Sequence, residues 1–216
     1  MYNNSRLEYN TNMINFKQFI EEKKLGSLTI FDIDDTLFHT TAQIAVVKDG
    51  KKVRDLTNQE FNTYKLKDGE SFDFAQFRDS HKFYHESKPI GKMLDKAKAI
   101  LKNSESNSLS RVVIITARAN FDNKEKFLDT FRKHGLDIDK MRVERAGNIH
   151  DVPGVANKKA VIIRNYINTN MFDTVRLFDD SMENLKVFLK LREEFPNVKF
   201  EAYFAKPDGS IKTIKD

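Results

Sequence analysis

The chain has 216 residues, no cysteine, and 37 Lys/Arg against 32 Asp/Glu, for a net charge of +5. That length supports one sizeable core with room for a small insert, and the missing thiols exclude disulfides, thiolate metal sites and cysteine nucleophiles. The longest apolar runs, such as VVII at 112–115, are too short to cross a bilayer, and the basic residues form no dense nucleic-acid-type run.

The first thirteen residues, MYNNSRLEYNTNM, carry no apolar stretch resembling a signal peptide and read as a flexible polar arm, so a cytoplasmic protein is expected. Ile14–Lys24 is patterned as an amphipathic helix that leads into a first strand at Leu28–Ile33. Residues 42–88 then break the rhythm. AVVKDGKKV reads as a hairpin with a DG turn. Phe61, Tyr64, Phe72, Phe74, Phe77, Phe83 and Tyr84 follow, and are expected to fill the small core of a cap-like insert over one end of the sheet. The nine Lys/Arg and eight Asp/Glu of this insert nearly cancel.

Pro89 is expected to open a helix whose apolar stripe runs Ile90, Met93, Leu94, Ala97, Leu101. Strands are predicted at Val112–Thr116, Met141–Glu144, Val175–Phe178 and Lys199–Phe204. Between them, Asp122 with Glu125 resembles a capping box and Gly135 a helix stop. Lys158–Ile167 reads as a helix, and Ser181 as the cap of one bearing Leu185, Phe188 and Leu189. Alternating strands and helices predict an α/β fold, a doubly wound parallel sheet. Residues 14–41 and 89–216 form its core domain, interrupted by the 42–88 insert.

In such a sheet, ligands bind at the carboxyl ends of the strands. The first strand runs out into FDIDDTLF, placing Asp32 and Asp34 there. The second ends in Thr116, followed by Ala117 and Arg118; the fourth ends in Asp179 and Asp180. Burying unpaired carboxylates is costly, so a cation or a chemical task should account for them. Lys158 and Lys159 open the preceding helix, where a cation opposes the macrodipole by about 0.3–1 kcal/mol. That local cost points to a functional role for one of them. Lys159 is preferred because Ile163, four residues on, holds an apolar face position. Carboxylates, a hydroxyl and an ammonium converging on one rim suit a hard cation together with a phosphoryl group.

Other readings of these residues fail. An EF-hand loop from Asp32 would need Gly and Glu where Leu37 and Gln43 stand. No phosphate-cradling GxxxxGK loop is present. A receiver domain would carry its phosphorylated Asp before the Thr, on a middle strand, whereas here the second acidic pair comes last, after the Lys. His81 and His85 share helix spacing but lack a placed third ligand and read as surface or core residues. His39 is read equally as a linker or a substrate contact. Asp35 reads as a turn residue. Arg118 is the better phosphate contact, because its planar fork matches phosphate oxygens.

The order of FDIDDTLF, VVIITAR, NKKAVII and RLFDDSMENL resembles the four motifs of the haloacid-dehalogenase-like (HAD) phosphohydrolases, over about residues 28–205. The resemblance implies a Rossmann-like core with a small cap, Mg²⁺ dependence and an aspartyl-phosphate intermediate. Asp32 would be the nucleophile, Asp34 the general acid and base, and Thr116 and Lys159 the groups holding the phosphoryl oxygens. Asp32, the Asp34 carbonyl and Asp180 would hold the ion, with Asp179 a further ligand or a supporting group. Thr36 would support the first turn. Asn184 stands where the family pattern is acidic. An aspartate at position 34 favours phosphate esters over halides. A weaker resemblance to the phosphatase half of polynucleotide kinase-phosphatases extends the expected substrates from phosphorylated small molecules to nucleotides or nucleic-acid 3′ ends. No membrane and no obligate protein partner is expected. The different-class alternative is a family member retired from catalysis and kept as a binding or scaffold domain.

Overall fold

The computed structural model describes residues 25–61 and 63–215; the arm over 1–13 and the helix expected over Ile14–Lys24 lie outside them. In chain order, β1 (Gly26–Phe31) leads through β2 (Phe38–His39) to β3 (Ile44–Lys48), β4 (Lys51–Leu56), α1 (Asn58–Phe61), β5 (Glu70–Asp73), α2 (Ser80–Glu86) and β6 (Lys88–Pro89). Then come α3 (Gly91–Ser104), β7 (Arg111–Thr116), α4 (Lys124–Arg132), β8 (Arg142–Arg145), α5 (Val155–Ile167), β9 (Phe172–Asp179), α6 (Met182–Lys190), β10 (Lys199–Ala205) and β11 (Ile211–Ile214).

The main sheet has the order β11-β10-β9-β1-β7-β8. All neighbours are parallel except β10 and β11. Both faces are covered. Phe31, Ile114 and Phe178 pack with Met93, Leu94, Phe127 and Phe131 of α3 and α4. Leu28, Ile30, Val113, Ile115, Val175 and Leu177 pack with α5 and α6 through Ala160, Ile163, Leu185 and Phe188. Each such side chain contributes about 1.5–3 kcal/mol when fully buried. This two-sided burial is why the strands read as near-continuous apolar runs. The arrangement is an α/β fold compatible with a Rossmann-like architecture.

Chain order reverses at β1, with β7 on one side and β9 on the other, and the crevice beyond their carboxyl ends is the usual ligand position. One residue below it, Phe31, Phe178 and Tyr203 pair across β1, β9 and β10. Their rings stack at 4.7 and 4.6 Å between centroids. This aromatic ladder stiffens the floor beneath Asp32 and Asp179.

The DG hairpin is present: Lys48 pairs with Lys51 across Asp49 and Gly50, whose φ values of 50° and 72° suit a two-residue turn. β3 also pairs with β5. Ile44, Val46 and Leu56 enclose a small core with Phe61, Tyr64, Phe72 and Phe77. Phe83 departs from the insert-core expectation. It packs in the main core, with ring centroids 5.2 Å from Phe127 and 5.4 Å from Phe38. A two-residue ladder, Phe38 opposite Pro89 and His39 opposite Lys88, closes the stem through which the insert leaves and returns.

Several elements differ from expectation at their ends, and one is new. Pro89 lies in β6, and α3 starts at Gly91 with no capping side chain. Neither the first turn of a helix nor a two-residue edge ladder depends on that residue's N–H, so either place tolerates proline. The cap of α4 is Asn123, whose side chain accepts from Lys126 N, while Asp122 accepts from the backbone of Ser80 and Asn123. Strand β11 is an addition. Its partly exposed residues alternate weakly, so only the β10 hairpin reveals it.

Candidate active site

Strand alternation decides which face each carboxylate takes. Asp32 continues the series Leu28, Ile30, and Asp179 continues Val175, Leu177, so both fall on the face covered by α5. Lys159, on that helix beside Ala160 and Ile163, meets them. Its Nζ donates to Asp32 Oδ1 and Asp179 Oδ2, each at 2.7 Å. All three residues are at most 5% exposed. Lys158 is only half-buried. Because α5 starts at Val155, Lys159 lies in its second turn, beyond the region where a cation opposes the macrodipole. Burial and contact select Lys159.

Asp179 has its remaining capacity taken as well. Ser181 N donates to Oδ1 at 2.9 Å, and Asn184 Nδ2 lies 2.9 and 3.0 Å from its two oxygens. Asn184 therefore orients an aspartate despite carrying no charge. Asp180 is partly buried and makes no hydrogen bond among the described residues. Carboxylate oxygens of Asp32, Asp179 and Asp180 all lie within 4.8 Å of one another. A single ammonium among three acids leaves the cluster short of positive charge. Burial, outweighing the Lys159 charge and joined by repulsion from Asp179 and Asp34, lifts the Asp32 pKa to about 7. Burial, then repulsion from Asp32 and Asp179, lifts Asp180 to about 8. Burial works against the Lys159 charge, but the two aspartates outweigh it and raise its pKa above the usual lysine range.

Asp34 points to a different partner. Arg118 Nη2 donates to its Oδ1 at 2.7 Å and Nε to its Oδ2 at 3.0 Å, a bidentate pair. The same guanidinium donates to Phe77 O at 3.0 Å and Thr40 Oγ1 at 3.2 Å, and lies 4.4 Å from the Phe83 ring centre. Arg118 is only 3% exposed. This corrects the expectation that it contacts phosphate: its fork is already occupied by a carboxylate, and it positions Asp34. The signal missed in the sequence is the cage, since Thr40, Phe77 and Phe83 are remote from Arg118 in the chain.

Thr116 is fully buried at the end of β7. Its Oγ1 accepts from Arg118 N at 3.2 Å, which leaves its own hydrogen free to donate. Thr36 supports the turn after β1 only through its backbone, Thr36 N to Ile33 O at 3.3 Å. Its buried hydroxyl has no partner among the described residues. His39 bridges Asp35 Oδ1 at 3.3 Å and Pro207 O at 3.0 Å, a linking role. His81 and His85 are exposed and stack on each other.

The loop bearing Arg118 is clamped by Gly147, whose N donates to Arg118 O at 3.2 Å. A Cβ there would lie 2.5 Å from Ala117 O and 2.7 Å from Ala119 N, both backbone atoms that cannot swing away. Gly147→Ala is therefore expected to destabilise the protein by about 1–3 kcal/mol in urea denaturation. Unchanged stability would mean that the two loops are not in contact.

No protein-family model and no curated protein matches this chain. The case for function therefore rests on this geometry and on the motif order.

Proposed function

We propose that the protein is a divalent-cation-dependent phosphomonoesterase of the HAD kind, acting through an aspartyl-phosphate on Asp32. The observation that carries this reading is the cluster itself: three carboxylates from two strand ends within 4.8 Å, with a buried lysine bound to two of them. Nothing about folding calls for such a cluster, because burying like charges together costs stability.

The donor set fits Mg²⁺. All donors are hard oxygens, from carboxylates and one backbone carbonyl, and a cation would supply the positive charge the cluster lacks. Asp32, Asp180 and the Asp34 carbonyl would hold it. Asp179, already engaged by Lys159, Ser181 and Asn184, would orient Lys159. When bound, the cation neutralises repulsion between the nucleophile and the phosphoryl oxygens.

In the first half-reaction, an Asp32 oxygen forms a bond to phosphorus while the bond to the ester oxygen breaks. Asp34, fixed by Arg118, gives a proton to the departing alkoxide. Thr116 donates to a phosphoryl oxygen, and Lys159 balances the charge. In the second, Asp34 takes a proton from water as it attacks phosphorus, releasing phosphate and restoring Asp32. The direct test is Mg²⁺-dependent hydrolysis of p-nitrophenyl phosphate. Wild-type inactivity across varied phosphoesters would instead favour a domain retained for binding or scaffolding.

Cation binding carries a pH signature. Asp32 and Asp180 must shed protons before an ion is held, at about 7 and 8. In the metal-free protein, both keep protons in the folded state that the unfolded chain loses above about pH 4. Their contribution to stability is therefore full below about pH 4 and is lost as pH rises through about 7–8. At one fixed concentration, ten times its Kd at pH 8.5, Mg²⁺ is expected to raise Tm by about 3–5 °C at pH 8.5 and much less at pH 5.5. Equal shifts at both pH values, measured against EDTA controls, would count against the site.

A further inference from the structure

A cavity of about 530 Å³ opens between the loop after β1 and the insert, with Asp35, Thr40, Gln43, Thr57 and Asn58 in its walls. That volume lies within the range of small-molecule pockets, roughly 300–1,000 Å³. Two links join it to the cluster. Asp35 directly follows Asp34, the proposed general acid and base. Thr40 Oγ1 accepts from the guanidinium that holds Asp34. The cavity thus begins on the Asp34 side, where the departing alcohol must go.

Its chemistry is distinctive. No lysine or arginine is among the lining residues, and Ala42 is its one apolar member. Asp35 is held in place: its φ is 57°, and Asn58 Nδ2 donates to its Oδ2 at 3.1 Å. Thr57 is occupied by Glu60. Three neutral groups keep bonding capacity. Thr40 accepts from Arg118 and Ala42 N, so its own hydrogen remains. Asn58 retains its Oδ1 and one N–H. The Gln43 side chain makes no hydrogen bond among the described residues, since only its backbone N is engaged.

We propose that this cavity receives the alcohol half of the ester, and that this alcohol is uncharged and bears hydroxyl groups. The inference rests on the phosphomonoesterase reading and narrows it. Neutral donors and acceptors would be left unpaired by a bare alkyl group. The Asp35 carboxylate, with no lysine or arginine in the walls and only the His39 imidazole beside it at 3.3 Å, would repel a second anionic group. A nucleic-acid 3′ end, whose next phosphodiester follows closely, is disfavoured on the same ground.

The test compares kcat/KM with Mg²⁺ for two matched pairs, glycerol 1-phosphate against propyl phosphate and a nucleoside 3′-monophosphate against its 3′,5′-bisphosphate. The hydroxylated ester and the monophosphate are each expected to be preferred by about tenfold or more. Gln43→Lys, which adds an ammonium to the wall, is expected to shrink the monophosphate preference about tenfold. Should that variant fail to fold, the wild-type pairs decide alone. Hydrolysis of p-nitrophenyl phosphate with no preference in either pair, or with the bisphosphate favoured, would overturn this inference and leave the proposed activity standing. Inactivity toward every ester would remove both.

Discussion

Lys159→Met is expected to lower stability by about 3–5 kcal/mol at pH 8, the cost of leaving buried charge without its partner. Methionine keeps much of the side-chain volume, so lost packing contributes little. What it removes is the ammonium that lies 2.7 Å from both Asp32 and Asp179 in a site closed to water. Two carboxylates would then face each other, and Asp180, without compensation. They would respond by taking up protons, so the defect should shrink as pH falls toward about 5. Urea denaturation at both pH values measures this. A variant as stable as wild type at pH 8 would mean that the lysine is solvated and that the cluster is not the closed arrangement described.

Asp32→Asn separates chemistry from stability in the opposite sense. An amide is isosteric with the carboxylate but is not a nucleophile toward phosphorus, so kcat for p-nitrophenyl phosphate should fall by at least about 10³-fold. Its effect on folding is the sum of two opposed changes. The ion pair with Lys159 is lost, but so is repulsion with Asp179 and Asp180 around a carboxyl whose pKa already stands near 7. Stability should therefore move much less than in Lys159→Met. Substantial residual hydrolysis in a folded Asp32→Asn protein would assign the nucleophile elsewhere. A large loss of stability would show that the charge at position 32 serves the fold.

These two variants also separate a working enzyme from a retired relative. Both readings predict the Lys159 effect, because that is a matter of buried charge. Only the enzyme predicts Mg²⁺-dependent turnover that disappears with the Asp32 carboxylate.

Much of this was legible along the chain. VVII at 112–115 announces a strand buried on both faces, and Asp32, Thr116 and Asp179 each follow such a run, so their place at a common rim follows from topology alone. Ile163 favoured Lys159 over Lys158 along the chain, and Ile162 left the choice open until the contacts to Asp32 and Asp179 selected Lys159. Phe83 was not placeable. A phenylalanine carries the same pattern whether it fills the insert's core or packs on Phe127, and only the path of α2 decides between them. Nor did β11 have a readable period, since its partly exposed residues take their strand geometry from pairing with β10.

The order of apolar runs and the residues ending them were determined by sequence, because burial on one or two faces imposes a local period that each segment carries by itself. Arg118 shows what was not. Its planar fork suits a phosphate and a carboxylate equally well, and the residue neighbouring it in the chain says nothing of which it will meet. Only the tertiary structure settled that choice, by bringing Asp34, Thr40, Phe77 and Phe83 around it. Long-range pairing energies leave no mark on local periodicity, and so the partner of a buried charge is known only once the chain has closed on itself.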